Sequence, residues 1–318
     1  MTRQPASGPC LGVDIGGSKT QAIALDQSFR IVADRFRQTE RGPEGVVAGA
    51  LAVARDCLRL AGMSTREVAG VGVGIPGRVD HRTGVVHTAV NLGVVRLELA
   101  DRLSDALGVP VRVDNDVKAT ALGAADYLRA GDGDLTYINF GTGVSAATIA
   151  AGTLVRGAGN LAGEIGHLAV DPTAEQCACG QRGCIEVLAG GGWIAQRLAV
   201  LGPPVTLANL IETARTGDAV AAGEACRIAG GIATAVQLAV LAHDSSRVVL
   251  GGGVIRTAPG LVDLTRTVLR ERAGSSEFLA SLGLPERVTV LPTDHPLAAI
   301  GAALVGRGPA QHPADVQA

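Results

Sequence analysis

The sequence predicts an α/β protein built from two related lobes, and three observations predict it. Short apolar strands alternate with stretches of helical spacing along most of the chain. One strand–turn–strand pattern occurs twice, as Val13-Asp14-Ile15-Gly16-Gly17-Ser18 and as Ile138-Asn139-Phe140-Gly141-Thr142-Gly143. A polar residue precedes each turn, which favours duplication over two unrelated glycine hairpins, and two such lobes would face a shared cleft. Glycine supplies 44 of 318 residues without any G-x-y period, so the chain needs many tight backbone turns and is not collagen-like.

In order along the chain, Leu11–Ile15 and Gln21–Leu25 read as strands on either side of the first glycine turn. From Glu44 to Gly62 the apolar residues Val47, Leu51, Ala54, Leu58 and Ala61 keep helical spacing. Val68–Ile75 is a buried strand ending at Pro76-Gly77. Leu97–Leu107 reads as a helix, and Val109–Val113 as a strand running into Asp114-Asn115-Asp116. A helix follows from about Val117 to Arg129. Leu135–Phe140 and Val144–Ala150 are the strands around the second turn. Val155 to Gly192 is rich in loops. Helices are expected at Leu207–Arg215, Ala219–Ala242 and Leu261–Arg272, and a buried strand at Val248–Leu250 runs into Gly251-Gly252-Gly253.

Lysine and arginine number 28 against 30 aspartates and glutamates, and the pI is near 6.3. That balance gives no reason to expect nucleic acid or an anionic membrane as a partner. With 47% apolar and 18% charged residues the chain is not a disordered tail, and with seven aromatics its core must rest on Val, Leu, Ile and Ala. The N-terminal MTRQPASGPC has no apolar signal core, and the apolar stretch Ile228–Ala242 is too short to span a bilayer. A cytoplasmic location is expected, where disulfides are rare.

Three groups of residues could carry chemistry. Asp14 with Gly16, Gly17, Ser18 and Lys19 offers backbone N–H groups to phosphate oxygens and a carboxylate to a metal-bound water. The spacing is neither that of a P-loop nor that of a dinucleotide fingerprint, so alone it fits a structural hairpin as well. Paired with Gly141, Thr142 and Gly143 it favours phosphate binding. Asp116, between a strand and a helix, is either the helix N-cap or a catalytic base at a strand end. Within a short span lie His167, Cys177, Cys179 and Cys184, a closed Cys₃His set suited to structural zinc rather than to a buried reduced cluster. Glu164 and Glu186 flank that set and are candidate acceptors for the hydroxyls of a polyol.

LGVDIGGSK, VGVGIPGRVD, VDNDVKATALG, FGTGVSAA, GEIGH, CACGQRGCIE and LGGGV together resemble the ROK family of bacterial sugar kinases and sugar-responsive repressors, from Leu11 to about Gly306. The resemblance implies an actin-like (hexokinase/ribonuclease H-like) ATPase fold with a sugar between the lobes. It implies Asp116 as catalytic base, and Gly77, Asn91, Asn115, Glu164, His167 and Glu186 on the sugar side. It implies Asp14 ordering Mg²⁺ with ATP, the two glycine turns on the phosphates, Gly251 and Gly252 on the nucleotide side, and His167 serving zinc and sugar through different nitrogens. Three positions and one run depart from the family pattern: Ser18 replaces Thr, Val94 a common Trp, Gly190 a common Ser, and Ser145-Ala146-Ala147 a glycine-rich run.

On this reading residues 1–117 form the first lobe, with a helix at about 297–306 packing back on it. Residues 118–296 form the second lobe, with the zinc loop at 164–186, and 307–318 a flexible tail. A repressor would need a DNA-binding domain before Leu11, where ten residues stand. The expected activity is that of a hexose kinase, with glucose the default acceptor and N-acetylglucosamine or N-acetylmannosamine the alternatives. A homodimer or homotetramer is the family-level expectation.

Overall fold

A computed structural model describes residues 8–131, 133–201 and 205–307. Strand β1 (Cys10–Ile15) turns through Gly16-Gly17-Ser18 into β2 (Lys19–Leu25), which continues into β3 (Ile31–Gln38). β3 is invisible in the sequence because Asp34, Arg35 and Arg37 break its alternation; as an edge strand it keeps most side chains exposed. Then come α1 (Gly42–Ala61), β4 (Gly70–Ile75), β5 (Arg78–Asp80), β6 (Val85–Thr88), β7 (Leu97–Glu98), α2 (Leu99–Leu107), β8 (Val111–Asn115) and α3 (Asp116–Tyr127). The main sheet runs β3-β2-β1-β4-β8, antiparallel through the hairpins and parallel from β1 to β4 to β8. α1 carries Pro43 in its first turn and stops at Gly62, whose left-handed backbone returns its N–H to Arg59 O. Val46, Val47, Ala50, Val53, Ala54 and Leu58 recur at helical spacing and join Leu11, Val13, Leu99 and Leu103 in one buried core.

The next stretch repeats this plan. β9 (Leu135–Phe140), β10 (Val144–Ala150) and β11 (Thr153–Leu154) form a meander, followed by a loop holding a single 3₁₀ turn, Ile165–His167. α4 (Ile185–Ala189), α5 (Gly191–Leu201), α6 (Leu210–Arg215), α7 (Ala219–His243), β12 (Arg247–Gly251), α8 (Gly253–Thr257), α9 (Gly260–Gly274), α10 (Glu277–Ser281), α11 (Leu284–Arg287) and β13 (Val288–Val290) complete it. Its sheet runs β11-β10-β9-β12-β13, the same order and the same parallel and antiparallel senses as the first. The expected loop at 155–192 does contain α4 and the start of α5, masked in the sequence by Gly190-Gly191-Gly192.

α7 corrects one expectation. The helix extends well beyond Ile228–Ala242 and is long and apolar enough to cross a membrane by length and composition. Here Ala221, Ala225, Ile228, Ile232, Val236 and Val240 are buried against Ile138, Leu250 and Leu261, so its apolar character belongs to a core.

By contact, the chain divides into two units. The first comprises the described residues of Met1–Arg129, Gly157–Asn160 and His295–Ala318, and the second Ala130–Arg156 and Leu161–Asp294. The division thus falls after Arg129 and not near Val117. The reason is α12 (Leu297–Arg307), which lies along both β1–β4 and α3. Glycines permit the approach: a Cβ on Gly12 would stand 2.0 Å from Ala299 O, one on Gly72 1.8 Å from Ala302 O, and one on Gly301 1.7 Å from Ala119 O. The described part of the expected tail is Arg307, the end of α12; 308–318 lie outside the described residues.

Candidate active site and metal centre

In the first unit, Asp14 sits near the end of β1, opposite Gln21 on one side and Gly74 of β4 on the other. Gly74 keeps the space beside it open: a Cβ there would stand 3.7 Å from Asp14 Oδ1 and 3.5 Å from Asp116 Cα. Asp14 and Asp116 therefore share one neighbourhood. Burial first, and then the Asp116 carboxylate, push the Asp14 carboxyl up to about 7, against the opposing pull of Lys19. Two carboxylates placed like this attract a cation, which fits the expected hydrated magnesium.

The adjoining turn is tight. Gly16 N donates to Lys19 O at 2.9 Å, while Gly17 faces open space. Thr39 clasps the turn from β3's far end, its N–H donating to Ser18 O at 3.0 Å and its hydroxyl to Gly16 O at 2.9 Å. Nothing in the sequence marks Thr39 for this task. Lys19 is exposed and lays its ammonium over the Phe36 ring, 4.7 Å from the centroid.

The α3 start separates the two readings of Asp116. The N-cap is Asn115: its backbone is extended, and its Oδ1 accepts from Val117 N at 3.0 Å and Lys118 N at 3.2 Å. Asp116 is the first helical residue and accepts from Val117 N at 2.9 Å. Asn115 Nδ2 also donates to Gly77 O at 3.1 Å, joining two of the expected sugar-side residues and leaving one amide hydrogen for a ligand. Gly77 has φ 98°, and a Cβ on it would meet Thr88 O at 1.9 Å, so only glycine fits. Asn91 is exposed on the following turn, which Ala89 and Val94 close by reciprocal backbone bonds of 2.9 and 3.1 Å. Val94 itself is buried in the core of this unit.

In the second unit Asn139 holds the place of Asp14, opposite Ser145 and Gly251. The turn Gly141-Thr142-Gly143 is braced on several sides. Gly191 N donates to Gly141 O at 2.8 Å, Gly192 N to Thr142 O at 2.9 Å, and Val144 N to Glu186 Oε2 at 3.1 Å. A Cβ on Gly143 would lie 2.3 Å from that carboxylate oxygen, so Glu186 and the second turn are in contact. Gly251 ends β12 under the Tyr137 hydroxyl, and Gly252 turns with φ 93° over Phe140 to start α8.

Arg197 holds the helix that carries Glu186. It donates to the Val187 and Leu188 carbonyls at the end of α4 and pairs with Glu224 at 2.7 Å, both side chains nearly buried. A lone arginine on the apolar stretch WIAQRLAVL was the available signal, and motif reading passes over it.

The four metal-ligand atoms of His167, Cys177, Cys179 and Cys184 lie within 4.8 Å of one another. His167 Nδ1 is 3.7 Å from Cys177 Sγ, and Cys179 Sγ is 3.6 Å from Cys184 Sγ. A tetrahedral zinc with Zn–S about 2.3 Å and Zn–N about 2.0 Å implies edges of about 3.8 and about 3.5 Å, which these approach. The loop is built for closure: Cys177 N donates to Gln181 O at 2.7 Å, and Gln181 Nε2 donates to His167 O at 2.8 Å. Hydrogen bonds from the backbone and side chain of Gln181 lower the Cys179 thiol to about 6. Burial and the neighbouring thiols push Cys184 up to about 12. Three thiols and one imidazole brought this close together form a donor set that fits zinc. Cys184 caps α4, so the same loop that gathers the four donor atoms delivers Glu186, while Glu164 is exposed at the head of the 3₁₀ turn.

The chain matches the ROK family over residues 10–304. It is 32% identical over 275 residues to a glucokinase of Halalkalibacterium halodurans, covering 79% of this chain and 82% of that one. An N-acetylmannosamine kinase of Yersinia pseudotuberculosis is 31% identical over 250 residues, covering 78% and 83% respectively. Among solved structures, a ROK family glucokinase from Streptomyces griseus, crystallised with glucose and AMPPNP, superposes with a TM-score of 0.74. It is 29% identical, with 94% of this chain and 99% of that chain covered. The fold is thus the actin-like ATPase fold in two α/β lobes, and the chain belongs to the ROK family, in its glucokinase-like branch, as a sugar kinase that transfers phosphoryl groups to an alcohol.

Proposed function

We propose that the chain is an ATP-dependent kinase for the primary (6-) hydroxyl of a hexose, with glucose as its acceptor. Asp116 accepts the proton of that hydroxyl as its oxygen bonds to the γ-phosphorus and the bond to the β-phosphate oxygen breaks, releasing ADP. Gly16–Ser18, Lys19 and Gly141–Gly143 hold the phosphates, and Gly251 and Gly252 border the nucleotide. Magnesium entering with ATP would supply charge neutralisation on the phosphates, and Asp14 would hold it through water. Gly77, Asn91, Asn115, Glu164, His167 and Glu186 bind the sugar hydroxyls. Structural zinc on His167, Cys177, Cys179 and Cys184 keeps the loop between Glu164 and Glu186 in shape. A reduced thiolate site and an ATP requirement fit a cytoplasmic enzyme, and a homodimer or homotetramer is its proposed assembly.

One observation carries this reading. Asn115 does the capping, so the helix does not require a carboxylate at Asp116, whose Cα lies across Gly74 from the Asp14 carboxylate and whose charge raises it. The similarity to an N-acetylmannosamine kinase favours a second acceptor class, sugars bearing an N-acetyl group at carbon 2. Measuring the sugar phosphate formed from glucose, mannose, N-acetylglucosamine and N-acetylmannosamine tests both, with either ATP or inorganic polyphosphate as the donor. Glucose is expected to give the highest kcat/KM with ATP. No turnover of any of the four with either donor would end the kinase reading.

A further inference from the structure

The short segment Gly157–Asn160 groups with the first unit, although Arg156 and Leu161 on either side of it belong to the second. One backbone bond, Ala162 N to Arg156 O at 3.1 Å, closes its base. Its backbone is left-handed at Gly157 (φ 73°) and again at Asn160 (φ 59°), where a residue with a Cβ needs support. Two side chains give that support. Lys118 Nζ donates to Asn160 O at 3.2 Å, and His81 Nδ1 donates to Asn160 Oδ1 at 2.6 Å.

Lys118 is 4% exposed, an unusual place for an ammonium group. Burying that charge is costly unless polar atoms receive it, and a methionine would cover the same apolar surface without the cost. The Asn160 carbonyl is among the polar atoms that receive it. Lys118 stands in the first turn of α3, two residues after Asp116, and its own N–H is held by the Asn115 cap. Asn160 in turn precedes Glu164 by four residues and His167 by seven along the chain.

We propose that Lys118 and His81 are positioning residues: through Asn160 they fasten the segment leading into Glu164 and His167 to the turn of α3 that carries Asp116. This rests on the hexokinase reading above. A fastened segment presents its sugar-binding carboxylate in order before the sugar arrives. A released one must be ordered at the moment of binding, which weakens acceptor affinity. Chemistry at Asp116, once the sugar is bound, is unaffected. The signature is a KM effect for the sugar with kcat and the nucleotide KM retained.

The variants are Lys118→Met, Lys118→Arg and Asn160→Gly; the last keeps the left-handed backbone while deleting the acceptor for His81. Steady-state kinetics with glucose and ATP is joined by amide hydrogen exchange on the sugar-free protein, for peptides covering 155–164. The expected result is a sugar KM about tenfold higher in Lys118→Met, with kcat within about threefold, and recovery in Lys118→Arg to within about threefold of the parent. Exchange in 155–164 should quicken about tenfold in Lys118→Met and also in Asn160→Gly, with other peptides unchanged. An unchanged sugar KM together with unchanged exchange overturns the proposal. So does a parallel fall of kcat and both affinities with general loss of protection, which would make Lys118 merely structural. If Lys118→Met fails to fold, Asn160→Gly decides on the same two readouts. If the parent phosphorylates no hexose, the kinase reading fails while the exchange measurement still judges the fastening.

Discussion

The turn at Gly16–Ser18 and the turn at Gly141–Gly143 occupy the same place in two sheets of the same strand order, yet they are finished differently. Each follows a polar residue paired across the parallel ladder with a glycine, Asp14 with Gly74 and Asn139 with Gly251. The first turn has the Asp14 carboxylate and the Asp116 backbone beside that glycine, Thr39 clasping one edge, and open space over Gly17. The second is neutral at Asn139 and is pinned by Gly191, Gly192 and Glu186. A duplicated backbone gives two turns of one design. The chemistry comes from what the side chains add: the first copy carries a carboxylate at the strand end itself, while the second has a neutral amide there and takes its carboxylate, Glu186, from α4. That asymmetry can be attacked from either side.

The largest effect is expected where the first half differs most, at Asp116. Asp116→Asn keeps size and leaves the Asn115 cap in place, so the fold should hold and glucose affinity should change little. Turnover should fall by at least ~10²-fold if the carboxylate accepts the proton. Kinetics within about threefold of the parent would remove Asp116 from the mechanism.

Asp14→Asn makes the first half resemble the second. Turnover with magnesium and ATP should drop by roughly 10²-fold as the charge facing the metal is lost. The same variant has a stability signature. Since the folded Asp14 carboxyl is pushed up to about 7 from an ordinary 3.8, the folded chain binds this proton more tightly than the unfolded chain does. Its contribution is full below about pH 4 and is lost as pH rises through about 7. Denaturant midpoints of the parent should therefore decline from pH 5 to pH 8 relative to Asp14→Asn. Parallel profiles would mean that neither burial nor the Asp116 carboxylate raises the Asp14 carboxyl.

On the second half, Cys179→Ala should strip the metal and weaken sugar binding by about 10–100-fold, because the loop between Glu164 and Glu186 loses its anchor. Metal analysis finding no zinc in freshly prepared active parent would contradict that account. Gly143→Ala should act on the same carboxylate more mildly. A new Cβ 2.3 Å from Glu186 Oε2 must displace it from Val144 N, and sugar KM should rise by about tenfold while nucleotide KM moves less.

How much of this could be read from the sequence varies with the physics at each point. Both turns and the Cys₃His cluster were legible because glycines and thiols are needed there as residue types. The choice of cap at α3 was not, since Asn115 and Asp116 are both good caps and only the extended backbone of Asn115 decides. β3 hid behind charges that an edge strand tolerates. The division after Arg129 depends on α12, which returns from the far end of the chain and meets α3 through Gly123 and Gly301. Thr39, Gln181 and Arg197 act by touching backbone carbonyls or amides, contacts that leave no pattern in spacing.

The smallest expected effect gives the sharpest contrast between the copies. Gly17 has nothing within 4 Å of where its Cβ would be, and its φ is not left-handed, so Gly17→Ala meets neither clash nor strain. The substitution should leave the melting temperature within a degree or two, or raise it slightly, because alanine restricts the unfolded chain. A methyl group on an open phosphate turn nonetheless stands where phosphate oxygens would approach the backbone. The KM for ATP should therefore rise by about three- to tenfold, with the sugar KM unchanged. Gly143→Ala, on the braced turn, is expected to do the reverse, disturbing the sugar more than the nucleotide. If Gly17→Ala leaves ATP kinetics untouched, the space over the first turn is not where the phosphates lie. The open turn would then be only a hairpin, and the resemblance between the two halves would end at the backbone.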